Sequence, residues 1–293
     1  MSTDTTAARL TTDEQTARRI ASFLAESLDA GEAACAAFEN EHGQWEIAVH
    51  MQGTANEIRL RDLVRVAAGD EAALALRFEA VNDTDWVRQS LEGLKPVRAG
   101  RFVVHGSHDR SRVRSNDLGI EIEAALAFGT GHHGTTRGCL SLLDHVLKSR
   151  KPRRVLDLGT GTGVLAIAAA KAQRRAVLAS DIDAPSVKVA RENARLNGSG
   201  PLVQVIRATG FAAPEFSRHA PFDLVLANIL ANPLKQLAGP MSGHLAPKGY
   251  VILSGLLNHQ AAAVVAAYRA RGLVPLRHIR IEGWSSLLLQ AVG

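Results

Sequence analysis

Residues 155–163 read VLDLGTGTG, an apolar segment that runs into glycines at 159, 161 and 163 and then into an apolar helical pattern. This is a strand-to-helix turn in which backbone without Cβ atoms can approach a ligand, beside the unpaired N–H groups of a helix N-terminus. A nucleotide-like ligand fits it. Dinucleotide enzymes space their glycines G-x-G-x-x-G, and the third glycine of that pattern would fall on Val164. The G-x-G-x-G spacing leans instead to S-adenosylmethionine, whose sulfonium and amino-acid end needs less clearance than a pyrophosphate. Gly159 and Gly161 are therefore candidate cofactor contacts, weighed against a glycine-rich turn that binds nothing.

The next strand ends in Asp181, 22 positions after Gly159. An acidic side chain at about that interval accepts hydrogen bonds from two ribose hydroxyls, because neighbouring parallel strands bring it beside the first glycine loop. Asp183 reads more simply as the N-cap of the helix that follows, with Pro185 in its first turn and Asn197-Gly198 at its end. A later strand, FDLVLA, runs into Asn228, which the same logic places on the rim of the glycine loop and Asp181. A polar amide there faces a ligand, whereas Asn232, before Pro233, reads as a turn or cap residue.

Upstream, residues 127–140 read AFGTGHHGTTRGCL, a glycine-rich loop with paired threonines that leads into a helix starting near Thr136. His132 and His133 lack an H-E-x-x-H pattern or cysteine companions, and His105 and His108 are no better placed, so no metal site is expected. Neither a G-x-S-x-G elbow nor a P-loop occurs in the sequence, which removes the obvious serine-hydrolase and NTPase readings. Cys35 and Cys139 read as buried free thiols.

The elements that must position these residues fall into two groups. The first hundred residues read as a small α+β sandwich, with helices over 13–28 and 55–68 and strands over 34–38, 45–50 and 73–81. A short helix from Asp83 and the KPVRAG stretch at 95–100 mark a junction. The expected organisation is a domain over 1–83, a linker over 84–100 and a larger domain over 101–293. In the larger domain, short apolar strands over 153–158, 176–180, 202–207, 222–227, 250–254 and 286–290 alternate with helices. That rhythm predicts an α/β fold with a mostly parallel sheet that binds ligands at the carboxyl ends of its strands.

Charge divides the same way. Residues 1–100 hold 10 Lys or Arg against 17 Asp or Glu, a balance of −7, while residues 101–293 hold 24 against 12, a balance of +12. An acidic half suits a basic protein partner, and a basic half suits nucleic acid or an acidic cofactor. Two ordinary solvated surfaces would look alike by charge alone. No uninterrupted apolar run exceeds the eight residues of 261–268, far short of the roughly 18 residues of a membrane span. The N-terminus lacks the basic and apolar regions of a signal peptide, so the expected location is cytoplasmic, with no membrane partner.

Taken together, AFGTGHHGTTRGCL, VLDLGTGTGVLAIAAAK, SDIDAPSVKVARENARLNG and FDLVLANILANPL, in this order, resemble the bacterial ribosomal protein L11 methyltransferase family. Asp85-Trp86 and KPVRAG resemble the family's junction, so the resemblance runs from about residue 85 to the C-terminus. It implies a class I methyltransferase domain, a Rossmann-like seven-stranded sheet, preceded by a substrate-recruiting α+β domain. It also implies that S-adenosylmethionine is the cofactor and that L11 is the substrate, methylated on lysine or N-terminal amines; the basic charge of residues 101–293 leaves ribosomal RNA as a further candidate contact. By the same resemblance Thr136, Gly159, Asp181 and Asn228 are the cofactor contacts, with Asn228 also the catalytic residue. The family loop usually reads GTGTHPTT; here His132 replaces Thr and Gly134 replaces Pro. Lysine methyltransferases of the electron-transfer flavoprotein β subunit share these motifs, but the hundred-residue N-terminal domain favours the ribosomal substrate. From other classes, Val164 counts against a nicotinamide oxidoreductase, and the intact rim residues count against a noncatalytic nucleotide-binding module.

Overall fold

The computed structural model describes residues 5–28, 33–39, 44–52, 57–81, 96–122 and 133–292. The chain divides into two compact units, Met1–Gly93 and Leu94–Gly293. The helix expected from Asp83 and most of the 84–100 junction lie outside the described residues, as do residues 123–132 of the upstream loop.

In the first unit an antiparallel sheet has the order β2-β3-β1-β4, formed by β1 (Thr5–Thr12), β2 (Ala33–Glu39), β3 (Trp45–Gln52) and β4 (Arg77–Val81). Helices α1 (Glu14–Ser27) and α2 (Glu57–Ala68) supply Ile20, Leu24, Leu60 and Val64 to a core completed by Ala8, Leu10, Ile47 and Val49. Period-two alternation sends Ala8 and Leu10 inward and Arg9 outward to Glu46 (2.6 Å). Asp13 starts α1 by accepting the Thr16 amide at 2.9 Å. The strand expected over 73–81 begins only at Arg77, because residues Asp70–Ala75 form a short helix, α3, that buries Ala73. The central strand β1 is absent from the sequence expectation.

The second unit opens with a small sheet of β5 (Val97–Ala99), β6 (Phe102–His105) and β7 (Leu118–Glu121). Its main sheet has seven strands in the order β10-β9-β8-β11-β12-β14-β13. These are β8 (Val155–Leu158), β9 (Val177–Asp181), β10 (Val203–Arg207), β11 (Phe222–Asn228), β12 (Leu245–Leu257), β13 (Leu273–Ile281) and β14 (Trp284–Ala291). The first five named in that order are parallel, and β14 runs antiparallel between β12 and β13. One face is covered by α4 (His133–Ser149), α5 (Val164–Gln173) and α6 (Ala184–Leu196), the other by α7 (Pro214–His219), α8 (Ala231–Gly243) and α9 (Ala261–Arg269).

Strand alternation feeds both cores: Val155 packs under the first set of helices, while Leu156 and Leu158 pack under the second. Residues Leu165–Ala170 of α5 are all buried, which explains why that segment is apolar all round rather than striped. Parallel pairing also fixes the polarity of the sheet, so β8, β9 and β11 end side by side at Leu158, Asp181 and Asn228.

Candidate functional site

The glycine loop leaves β8 with Gly159, Gly161 and Gly163 at φ +70°, +54° and +84°, values that favour glycine. The amides of Gly159 and Thr160 donate to the Ser180 carbonyl at 2.8 and 2.9 Å, tying the loop to β9. Gly163 is the N-cap of α5 and offers no side-chain acceptor. Asp157 takes that role from the strand: its Oδ2 accepts the Ala166 amide (3.0 Å) and the Thr160 hydroxyl (2.6 Å). Its Oδ1 is buried with no partner. Burial pushes the Asp157 carboxyl up to about 7, outweighing the two donors, with nearby Asp181 adding to the rise.

Asp181 ends β9 half-buried. Its Oδ2 accepts the Gly161 amide (2.8 Å) and its Oδ1 accepts the Asp183 amide (3.0 Å), so the carboxylate is fixed across the loop. A carboxylate has about four lone-pair sites, which leaves acceptor capacity for hydroxyl groups. Asp183 caps α6 by accepting the Ser186 amide at 2.8 Å.

Asn228 reaches this rim because the residue after it fits the loop closely. A Cβ on Gly159 would lie 2.3 Å from Ile229 Cγ2, and one on Gly255 would lie 2.4 Å from the Ile229 carbonyl oxygen. Only glycine permits this approach from either side. The Asn228 side-chain NH₂ donates to Thr135 Oγ1 at 3.4 Å, while its Oδ1 is buried and unpartnered. A buried acceptor left open is costly unless a ligand completes it.

The rim thus brings together Gly159, Gly161, Asp181 and Asn228. Thr136 lies in the first turn of α4, half-buried, but it is Thr135, 1% exposed, that meets Asn228. The paired threonines are the sequence signal that points to Thr135, and the Asp of the glycine motif is the signal for Asp157. Two local expectations are corrected. Helix α4 begins at His133 rather than near Thr136, and Asn232 lies inside α8, whose N-cap is the extended Leu230. Gly134 sits where a Cβ would be 2.8 Å from the Ile281 carbonyl oxygen, so the tip of the β13–β14 hairpin occupies the space of a larger residue.

Cys139 is buried and Cys35 half-buried, and both are free. The His105 ring meets the Gly106 carbonyl at 2.8 Å, and His108 lies 3.3 Å from Asp109. Among the described residues no cluster of three or more His, Cys, Asp or Glu could hold a metal ion.

A parallel sheet with one antiparallel strand inserted next to its edge, a glycine loop after β8 and an acidic residue ending β9 define a class I methyltransferase domain. The described residues fit S-adenosylmethionine: the loop has glycine at 159, 161 and 163, a fixed carboxylate borders it, and Asn228 turns an open acceptor to the rim. The chain belongs to the ribosomal protein L11 methyltransferase family. The family described as "Ribosomal protein L11 methyltransferase (PrmA)" matches residues 8–291.

The chain is 69% identical over 280 residues to a "Ribosomal protein L11 methyltransferase" of Bradyrhizobium diazoefficiens, covering 96% of this chain and 95% of that protein. A protein of the same name from Rhodopseudomonas palustris is 67% identical over 277 residues, covering 94% of each. Among solved structures, a ribosomal protein L11 methylase of Lactobacillus delbrueckii subsp. bulgaricus is similar at a TM-score of 0.61 and 28% identity. That match covers 68% of this chain and 100% of the other. No described helix is long and apolar enough to cross a membrane.

Proposed function

We propose that this chain methylates amines of ribosomal protein L11, on lysine side chains or the N-terminus, using S-adenosylmethionine. When bound, that cofactor supplies an electrophilic methyl group on a sulfonium. Gly159, Gly161, Asp181 and Thr136 hold it, the glycines through their backbone and Asp181 through the ribose hydroxyls.

Asn228 acts on the incoming amine. A lysine with a pKa near 10.4 must first lose a proton, which costs about 4 to 5 kcal/mol near pH 7. The Asn228 carbonyl then accepts one N–H of the neutral amine and aims its lone pair. Thr135 accepts from the NH₂ of the same amide. The observation that carries this reading is the buried, unpartnered Oδ1 of Asn228 on the same rim as the glycine loop. A positioned hydrogen bond of this kind is worth about 10²-fold in turnover, because it sets the angle of attack.

Residues 1–83 serve as the recruiting domain, and the linker expected over 84–100 ends before β5 (Val97–Ala99), which belongs to the catalytic unit. The −7 balance of residues 1–100 suits a basic ribosomal client. Such a client places the reaction in the cytoplasm. Mass spectrometry of L11 incubated with the protein and S-adenosylmethionine tests the whole reading. Methylated L11 is expected; an unmodified L11 beside a methylated flavoprotein β subunit would reject the substrate. Asn228→Ala should lower kcat by about 10²-fold with the cofactor Kd within a few-fold of wild type. Wild-type turnover in that variant would reject the role of the amide.

A further inference from the structure

The rim of the main sheet opposite Asn228 is made from the turns that lead into the parallel strands, and its exposed charge is mostly positive. Five of the seven residues 148–154, from the last turn of α4 to the start of β8, are Lys or Arg, and all five are exposed. Arg174 and Arg175, also exposed, lie between α5 and β9. Lys248 is exposed near the start of β12. These turns serve β9, β8 and β12, with β11 between the last two, so they stand along one edge at steps of about 4.8 Å per strand. At that spacing neighbouring charges fall within a Debye length of about 8 Å at physiological salt.

The protein neutralises only part of this row itself. Asp144 is engaged by Lys148 (2.8 Å) and Arg101 (2.7 Å). Asp223 accepts the backbone amides of Arg153 (2.7 Å) and Arg154 (2.9 Å), not their guanidinium groups. Among the described residues no carboxylate lies within ion-pair distance of Lys151, Arg153, Arg154, Arg174, Arg175 or Lys248. Some of these side chains are nonetheless held in place: Arg154 donates to the Ala220 carbonyl at 2.8 Å, and neighbouring Arg150 donates to the Tyr250 hydroxyl at 3.2 Å. A row of mutually repelling cations, mostly arginine and some of them held in place, is complementary to a regularly spaced polyanion. Arginine forks pair with phosphate oxygens in a bidentate way.

We propose that this rim binds the phosphodiester backbone of RNA while the opposite rim carries out methyl transfer. The four-residue β8 spans about 13 Å, so the two rims can be occupied together. The choice of RNA among polyanions rests on the ribosomal reading above, but its test stands apart from the methylation assay.

Binding of the full chain to a fluorescein-labelled, 20-nucleotide single-stranded RNA is followed by anisotropy from low to physiological salt. The triple variant Lys151→Ala, Arg153→Ala, Arg175→Ala should bind at least ten-fold more weakly at about 100 mM salt. The slope of log K against log salt should become shallower by about 0.7 for each phosphate that the variant no longer neutralises, hence about 2 in all. The charge-preserving triple Lys151→Arg, Arg153→Lys, Arg175→Lys should keep the wild-type salt slope, and both triples should methylate free L11 at the wild-type rate. Absence of RNA binding by the wild-type chain, or an unchanged slope in the alanine triple, would overturn the proposal. So would tighter binding to phosphatidylglycerol vesicles than to RNA.

Discussion

Replacing Asp157 with Asn should flatten the pH dependence of stability in the catalytic unit. The unfolded carboxyl releases its proton near the ordinary 3.8, whereas burial holds it in the folded state to about 7. Between those values the folded protein carries a proton that the unfolded chain has lost. Stability from this group is therefore fully present below the unfolded value and declines as pH rises through the folded one. At 1.36 kcal/mol per pH unit, the difference is at most about 4 kcal/mol. An Asn side chain keeps an acceptor for Thr160 and the Ala166 amide, and places its NH₂ where Oδ1 already lacks a partner.

The assay is urea unfolding of both proteins at intervals from about pH 4 to pH 8, with hydrogen exchange of the buried β8 and β11 amides reporting on this unit. The stability of wild type minus that of Asp157→Asn should fall by about 1.4 kcal/mol per unit up to about pH 7. A difference independent of pH would refute the reasoning. It would mean that the Thr160 and Ala166 donors outweigh burial and that the carboxylate is ionised throughout.

Asp181→Ala should weaken S-adenosylhomocysteine binding by about ten- to a hundred-fold, as removal of a charged acceptor worth about 1.5 to 3 kcal/mol implies; unchanged affinity by calorimetry would remove Asp181 from the cofactor site. Gly134→Pro, the residue more usual at this place in the family loop, should destabilise the protein by about 1 to 3 kcal/mol through overpacking, because new side-chain atoms would start 2.8 Å from the Ile281 carbonyl oxygen. An unchanged thermal midpoint would show that the hairpin tip yields.

Elements whose identity is local were legible. The glycine loop, the Asp183 cap of α6 and the apolar strands β8, β9 and β11 each carry their own signal in consecutive residues. The elements that escaped depend on partners. The β1 segment TTAARLTT has little apolar content, and it becomes central because β3 and β4 pair on either side of it. Residues 273–281 contain Pro275 and form an edge strand with a mostly exposed pattern, so neither alternation nor a continuous apolar run marks them. Helix α3 needs only six residues, too few for a helical period to appear.

The same distinction applies within the site. Gly159, Asp181 and Asn228 announce themselves because a glycine repeat, an acid ending a strand and an amide after an apolar run are unusual in sequence. Their geometry comes from neighbours that sequence spacing does not reveal: Ile229 filling the space over Gly159 and against Gly255, and Thr135 meeting Asn228 from 93 positions away. This places a constraint on substitution. Enlarging Gly255 would displace Ile229, and Asn228 with it, without touching any group assigned to the cofactor or the amine. The parallel sheet also separates tasks along its axis. Groups that must converge on one reacting amine gather where the strands end, and like charges that cannot be paired internally are left where the strands begin. Residues 1–100 are net acidic while the far rim is basic, so the two surfaces suit opposite classes of partner.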